Sequence, residues 1–137
     1  MAKEFWFNLP VKDLKKSKVF FKSIGFESNP MHENVDHLGS FFLGDKKVIM
    51  MLFPKETFKT FTSNDLVDTS KGTEVLFNID AQNKIEVDNM AATVKAAGGK
   101  IYSKPGEKDG WMYGCGFEDL DGHRWNVLYM DFSKMPK

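Results

Sequence analysis

A carboxylate and two amides are the polar side chains best placed to do chemistry. Glu74 begins a strand predicted over residues 74–80 and is a candidate general base if apolar side chains surround it. Two amides, Asn8 and Asn126, could each polarise a carbonyl group of a substrate. Asn126 lies in a strand predicted over residues 124–131. Such a set would suit a lyase or an isomerase. The alternative is that Glu74 lies at the solvated end of its strand and has no role.

The cysteine and the three histidines indicate no catalytic or metal site. Cys115 has no base or cation close to it in sequence, so we expect a buried structural thiol. His123 follows an Asp-Gly turn, and His32 and His37 lie in a hydrophilic stretch, so we expect all three at the surface. There is no glycine-rich phosphate loop, zinc-finger spacing or Gly-x-Ser-x-Gly sequence. The sequence therefore predicts no cofactor.

The length and composition of the chain limit the kinds of protein that it can be. A chain of 137 residues, 42% of them hydrophobic, fits one domain with a real core. Lys and Arg number 19, as do Asp and Glu, which argues against nucleic acid as a partner. No apolar run is long enough for a membrane span, no signal peptide is evident, and a single cysteine favours the cytoplasm. The aromatic content of 14% suits an apolar small-molecule pocket.

The elements that must position the polar residues follow a repeated order. Residues 5–11 form a predicted strand, Asp13 can cap a helix that stops at Gly25, and three strands follow near 26–29, 38–43 and 47–53. After a polar connection over residues 54–73 the order returns, which predicts two βαβββ modules. The second module is assigned a strand, a helix and three further strands, at residues 74–80, 85–97, 100–103, 111–119 and 124–131.

Local sequence echoes support an internal repeat. The stretch "KSIGF" at residues 22–26 matches "KAAGG" at 95–99, and "FNLPV" resembles "FNIDA". We therefore predict one α+β domain over residues 1–137, with module 1 at about 1–54, a linker at 55–73 and module 2 at about 74–132. In the linker, Phe58 and Phe61 could cover a cavity or simply pack beneath the connection.

Two stretches, taken with the repeat, resemble the vicinal oxygen chelate superfamily. They are "NLPVKDLKKSKVFFKSIGF" near the start and "FEDLDGHRWNV" near the end, where Leu120 replaces the proline usual in the family. This superfamily includes glyoxalase I (lactoylglutathione lyase), extradiol dioxygenases, and bleomycin and fosfomycin resistance proteins. The resemblance implies two paired βαβββ modules that form a curved mixed sheet around a small-molecule cavity, and it implies a homodimer.

The resemblance also implies where a divalent metal would be held. Carrying the family's four ligand positions onto this sequence places them at Trp6, Met50, Glu74 and Asn126. Of these only Glu74 is a hard ligand, whereas transition-metal sites need three or four N, O or S donors. We therefore expect the family's metal centre to be missing.

Strand alternation adds neighbours to these positions. It places Trp6 and Asn8 on one face with Val48, Met50 and Leu52. On the second module it groups polar and apolar side chains at Glu74, Leu76, Asn78, Arg124, Asn126 and Leu128. By the resemblance both groups line the cavity; the alternative is that the apolar members are ordinary core.

Three functions follow as hypotheses. The first is a glyoxalase- or bleomycin-resistance-like protein that binds a small, partly apolar molecule without the usual metal. The second is a lyase- or isomerase-type enzyme, lactoylglutathione lyase-like or dioxygenase-like, with Glu74 as general base. The third is an interaction module without catalysis.

Overall fold

The computed structural model describes all residues from 1 to 137, and they divide into two compact units, Met1–Asp68 and Thr69–Lys137. Each unit contains one four-stranded mixed sheet. The predicted α+β class and the two βαβββ modules are confirmed. The strands form two separate four-stranded sheets, one in each module.

The first unit contains a four-stranded sheet of order β1-β4-β3-β2, with β1 parallel to β4 and the other pairs antiparallel. A single turn of 3-10 helix, Pro30–His32, follows β2. Its strands and helices are β1 (Trp6–Val11), α1 (Leu14–Ser23), β2 (Glu27–Ser28), β3 (Gly39–Leu43), β4 (Val48–Pro54) and α2 (Lys55–Thr62).

Helix α1 begins and ends as its sequence predicts. The side chain of Asp13 accepts a hydrogen bond from the backbone N–H of Lys16 at 3.1 Å, which satisfies a donor that the first turn cannot pair internally. Gly25, at φ +99°, follows the helix in a left-handed conformation that side chains disfavour. Buried Phe20 and Phe21 face the sheet, where the ring of Phe21 lies 5.9 Å from that of Phe41.

The second unit repeats this arrangement with sheet order β5-β8-β7-β6, in which β5 and β8 are parallel. A turn of 3-10 helix, Phe132–Lys134, follows the last strand. The strands and helix of this unit are β5 (Leu76–Asp80), α3 (Lys84–Ala96), β6 (Lys100–Lys108), β7 (Met112–Glu118) and β8 (Arg124–Met130).

The core of the second unit lies between α3 and one face of its sheet. Val87 and Val94 of α3 are fully buried. Trp125 of β8 is buried between two rings of neighbouring strands, 4.7 Å from that of Phe77 and 6.1 Å from that of Phe117. Three adjacent strands thus contribute aromatic rings to one cluster, which fixes the register of β8 because a one-residue slip would expose Trp125.

Two strand boundaries differ from those expected by two residues or more: β5 begins at Leu76 rather than at residue 74, and β6 ends later than predicted. Strand β6 runs to Lys108 rather than ending at residue 103, and the pairing of β6 with β7 is irregular between Ile101 and Gly106. Because β6 is an edge strand, it tolerates Pro105. The expected linker at 55–73 contains α2, and the boundary between the units lies within it. None of the helices, of which α3 is the longest, has the length and apolar character of a membrane span.

Candidate functional site

One face of the second sheet brings together five of the residues predicted to line a cavity. In the parallel register Leu76 pairs with Arg124 and Asn78 with Asn126, so their side chains project to the same side. The opposite side carries Trp125 and is covered by α3. We call the side away from α3 the open face; the predicted residues on it are Leu76, Asn78, Arg124, Asn126 and Leu128.

Tyr102 of β6 also lies on the open face, although the sequence did not single it out. Its hydroxyl group donates a hydrogen bond to Oδ1 of Asn126 at 2.5 Å. Burial raises the pKa of Tyr102, while the positive charge of Arg124 opposes that shift. The amide of Asn126 therefore has its oxygen engaged and its N–H groups available.

Gly116 of β7 makes room for the ring of Tyr102. A Cβ atom at Gly116 would lie 2.3 Å from Cζ of Tyr102 and 2.6 Å from its Oη atom, well inside van der Waals contact. Only glycine fits there without moving the tyrosine. Gly116 in "YGCGF" is the sequence signal that another group lies close against this strand, and it is directly opposite Asn126 in the antiparallel register.

Arg124 is a cation on the open face without an ion-pair partner. Its guanidinium carbon lies 4.3 Å from the centre of the Tyr102 ring, in cation–π geometry. Its Nε atom is buried and makes no hydrogen bond. Glu118 is opposite Arg124 in the register, yet the nearest cation to its carboxylate is Lys100, at 3.9 Å.

The turn before β8 is organised by a buried carboxylate, Asp119, which no sequence pattern had indicated. One oxygen of Asp119 accepts hydrogen bonds from the backbone N–H groups of Asp121 and His123, each at 3.0 Å. The other accepts from the indole Nε1 of Trp125 at 3.1 Å. Burial raises the pKa of Asp119, against the opposing effects of the charge of His123 and of these hydrogen bonds. This turn sets where Arg124 and the rest of β8 begin.

The first sheet corrects part of the predicted cavity face. Trp6 pairs with Ile49 and Asn8 with Met51 in the parallel register of β1 and β4. Trp6 is 57% exposed and Asn8 is half-buried, with a side-chain oxygen that is buried and unpaired.

Met50 and Leu52 lie on the other side of that sheet, and both are 0% exposed. The prediction that they share a face with Trp6 and Asn8 is wrong, and so is the same placement of Val48. Every position of "VIMMLF" is apolar, so alternation along β4 could not distinguish its two faces.

Glu74 is not part of the open-face group. It is exposed in a bend two residues before β5 begins, and no hydrogen bond or ion pair involves it. The internal repeat identifies a different residue as the counterpart of Trp6. The stretches "FNLPV" and "FNIDA" align Asn8 with Asn78, so Trp6 corresponds to Leu76 in the second module. Glu74 therefore lies two residues before the position that corresponds to Trp6.

The four positions implied by the resemblance do not provide the donors of a divalent metal site. Met50 faces the core, Trp6 has no donor lone pair, and the oxygen of Asn126 accepts the Tyr102 hydrogen bond. No three His, Cys, Asp or Glu side chains form a group that could hold a metal ion. The residues present do not fit the metal centre that the fold family implies.

The remaining candidate residues have structural surroundings. Cys115 is buried, and burial raises the pKa of its thiol to about 11, which fits the predicted structural role. Phe61 is exposed and meets Phe53 edge to face at 5.0 Å, so α2 packs on the first sheet. His37 is exposed, whereas His32 and His123 are half-buried.

A cleft lies in the first unit, between α1 and the segment that follows β2. This cleft has a volume of about 240 Å³, and Lys22 at its edge forms an ion pair with Glu33 at 3.1 Å. Lys18, also in its wall, donates a hydrogen bond to the carbonyl of Val35. None of the residues predicted to line a cavity contributes to it.

Comparisons with known proteins agree with this architecture. Residues 3–37 match the bleomycin resistance protein-like N-terminal family. No curated protein is similar enough in sequence to match the chain. A hypothetical protein from S. aureus, SA1046, superimposes with a TM-score of 0.82 at 32% identity, over 94% of each chain.

More distant structures share the fold alone. A glyoxalase/bleomycin resistance protein/dioxygenase family enzyme from Burkholderia phytofirmans has a TM-score of 0.76 at 16% identity, over 93% of this chain and 98% of that one. A mutant fosfomycin resistance protein from Listeria monocytogenes, in complex with Mn(II) and a dihydroxypropylphosphonic acid, has a TM-score of 0.65 at 18% identity, over 98% and 97%. The chain therefore belongs to the same family as the S. aureus protein and has the glyoxalase/bleomycin resistance/dioxygenase fold.

Proposed function

We propose that the protein binds a small, partly apolar molecule on the open face of the second sheet, without the metal centre typical of its fold family. The observation that carries this proposal is the composition of that face. Leu76 is 47% exposed on it, beside Arg124 and the free N–H groups of Asn126. Exposed apolar surface with a few converging polar groups is the usual composition of a small-ligand site.

The fold relationship supports ligand binding, and the donor set argues for a different way of achieving it. The distant fosfomycin resistance protein is described with Mn(II) and a small organic acid. In this chain the sequence resemblance assigns the metal-ligand positions to Trp6, Met50, Glu74 and Asn126, which do not fit such an ion. We therefore expect ligand binding to be unaffected by chelators.

The other hypotheses gain less support. A lyase or isomerase with Glu74 as general base would need that carboxylate near the ligand, but it is exposed in a bend outside the open-face group. No observation in the structure specifically favours an interaction module without a small-molecule ligand. We further propose a cytoplasmic homodimer: one buried cysteine suits a reducing compartment, and the exposed Trp6 could meet a second copy.

A ligand screen with matched variants tests the proposal. Chelator-treated protein is screened by thermal shift and native mass spectrometry against metabolite and antibiotic panels. We expect compounds that raise the melting temperature of the unmodified protein and of Ile85→Asp, a control on exposed α3 surface, but not of Leu76→Asp. Absence of any bound compound, or equal binding by Leu76→Asp, would contradict the proposal.

A further inference from the structure

We infer that the molecule bound on the open face carries a carboxylate, which Arg124 binds together with the N–H groups of Asn126. This inference rests on the proposed function and names its ligand class. It starts from a charge without a partner: no Asp or Glu carboxylate lies within ion-pair distance of Arg124, and its Nε atom is buried without a hydrogen bond. A guanidinium group stays charged at any physiological pH, so a partly buried one favours an anion.

The guanidinium group is held in place before any ligand arrives. The guanidinium carbon lies 4.3 Å from the centre of the Tyr102 ring, and two contacts hold that ring in place. Its hydroxyl group is bound to Asn126, and its body lies over Gly116 where no side chain intervenes. A cation that is already oriented loses little conformational freedom on binding, which favours affinity.

The neighbouring carboxylates leave the position open. Glu118, on the adjacent strand, is directed to Lys100 at 3.9 Å rather than to Arg124. Asp80, at the far end of the open face, is exposed and accepts a hydrogen bond from Gln82 at 3.1 Å. Neither one forms an ion pair with Arg124, which leaves the guanidinium charge available to an anion from outside the chain.

Asn126 supplies the second donor. Its oxygen accepts from Tyr102, which turns the N–H groups of the amide to other partners, and the structure gives them none. Arg124 and Asn126 are two residues apart on one face of β8, roughly 6.6 Å along the strand. A planar carboxylate can accept from a guanidinium group and from an adjacent amide at that spacing.

The apolar part of the ligand then has a surface beside the carboxylate. Leu76 is paired with Arg124 in the register, and Leu128 follows Asn126 by two residues on the same face. The face therefore suits an amphiphilic monoanion, with its charged end at Arg124 and its hydrocarbon or aromatic end over the leucines. A neutral compound of the same shape would keep only the apolar contacts.

Matched acid and amide probes test the inference. A series of aryl- and alkyl-carboxylic acids, with the corresponding primary amides, is titrated into chelator-treated protein near pH 7 and followed by isothermal calorimetry and by amide chemical shifts. We expect the acids to bind at least about tenfold more tightly than the amides. In Arg124→Met the preference should vanish, whereas Arg124→Lys, which keeps the charge but not the planar stack, should retain part of it.

The outcomes separate this inference from the proposed function. Acids and amides that bind the unmodified protein equally would overturn the carboxylate assignment and leave small-molecule binding intact. Failure of every acid and amide to bind would overturn the carboxylate assignment, whereas the proposed function is contradicted only if the metabolite and antibiotic panels also show nothing bound. Thermal unfolding of Arg124→Met checks that this variant is folded. If it is not, the acid preference is measured in two other variants. It should be reduced in Arg124→Lys and kept in Tyr102→Phe, which keeps the ring beneath the guanidinium group; an unchanged preference in Arg124→Lys would overturn the inference.

Discussion

The hydroxyl group of Tyr102 donates a hydrogen bond to the side-chain oxygen of Asn126 at 2.5 Å, which joins the edge strand β6 to β8 across β7. This hydrogen bond determines which groups of the Asn126 amide remain available to a ligand. The oxygen accepts from the tyrosine, and the N–H groups are left for a ligand. It also holds the aromatic ring on which Arg124 stacks. A single side-chain contact thus determines what two residues of β8 offer to a ligand.

Removal of the Tyr102 hydroxyl group should weaken the fold slightly and alter its alkaline stability. Tyr102→Phe loses one partly buried hydrogen bond, which costs about 1 kcal/mol. The pKa of Tyr102 is raised by burial, so its stabilising contribution is fully present below pH 10 and is lost as the pH rises through the folded-state pKa. Urea unfolding between pH 9 and pH 11 should therefore show a smaller loss of stability for Tyr102→Phe than for the unmodified protein.

Tyr113→Phe is the matched control for Tyr102→Phe, because the pKa of the Tyr113 phenol is raised as well, mainly through its hydrogen bond to Asp88. Tyr113→Phe should leave the chemical shifts of Asn126 unchanged. Identical alkaline profiles for Tyr102→Phe and the unmodified protein would contradict the assignment.

Gly116→Ala should displace the Tyr102 ring and loosen the open face. A new Cβ atom 2.3 Å from Cζ of that ring forces the side chain away, with loss of its hydrogen bond, at a cost of about 1–2 kcal/mol in unfolding free energy. Gly72→Ala is the control, because no atom lies within 4 Å of its new Cβ atom, and we expect a change within about 0.5 kcal/mol.

A double-mutant cycle makes the Gly116 prediction specific. When Tyr102→Ala has already removed the ring, Gly116→Ala should cost much less than it does in the unmodified protein. Equal costs in both backgrounds would show that the strand, rather than the tyrosine, requires glycine at this position.

Asp119→Ala should be among the most destabilising single changes in the second unit. It leaves the indole N–H of Trp125 and two backbone N–H groups of the turn without acceptors, and all of them lie in or beside the core. We expect a loss of about 3 kcal/mol in denaturant unfolding. Asp36→Ala, at an exposed aspartate, should change stability by less than about 0.5 kcal/mol. Similar values for the two variants would refute the role given to Asp119.

The thiol of Cys115 should react only when the chain unfolds. With a pKa of about 11, roughly one thiol in a thousand is ionised at pH 8, and the side chain is buried. A disulfide reagent such as DTNB should modify the native protein at least about a hundredfold more slowly than the protein in denaturant. Rapid modification of the native protein would mean that the second unit opens more readily than this packing implies.

The fold could be predicted from the sequence because its signals are local and repeated. Asp13 and Gly25 delimit α1 through capping and left-handed geometry, and the Asp-Gly turn at residues 121–122 fixes where β8 begins. On β8 the polar Arg124 and Asn126 alternate with Trp125, so the pattern distinguished the open face from the core. Alternation sufficed wherever one face of a strand was polar.

The site could be predicted only where that alternation was present. Met50 and Leu52 lie in a strand that is apolar on both faces, so their orientation depended on the register with β1. Tyr102 reaches Asn126 across an intervening strand, which no periodicity within β6 encodes. The absence of an ion partner for Arg124 depends on where the Glu118 carboxylate is directed, which is a property of tertiary packing.

Binding of a ligand to the open face without a metal is tested most directly by a chemical-shift map of the metal-free protein. Isotopically labelled protein, stripped with chelator, is titrated with the compounds that raise its melting temperature. We expect shifts concentrated at Leu76, Asn126 and Leu128, and we expect them to be unchanged when Ni²⁺ or Zn²⁺ is added. Shifts located elsewhere, or binding that requires the added metal, would contradict the proposal.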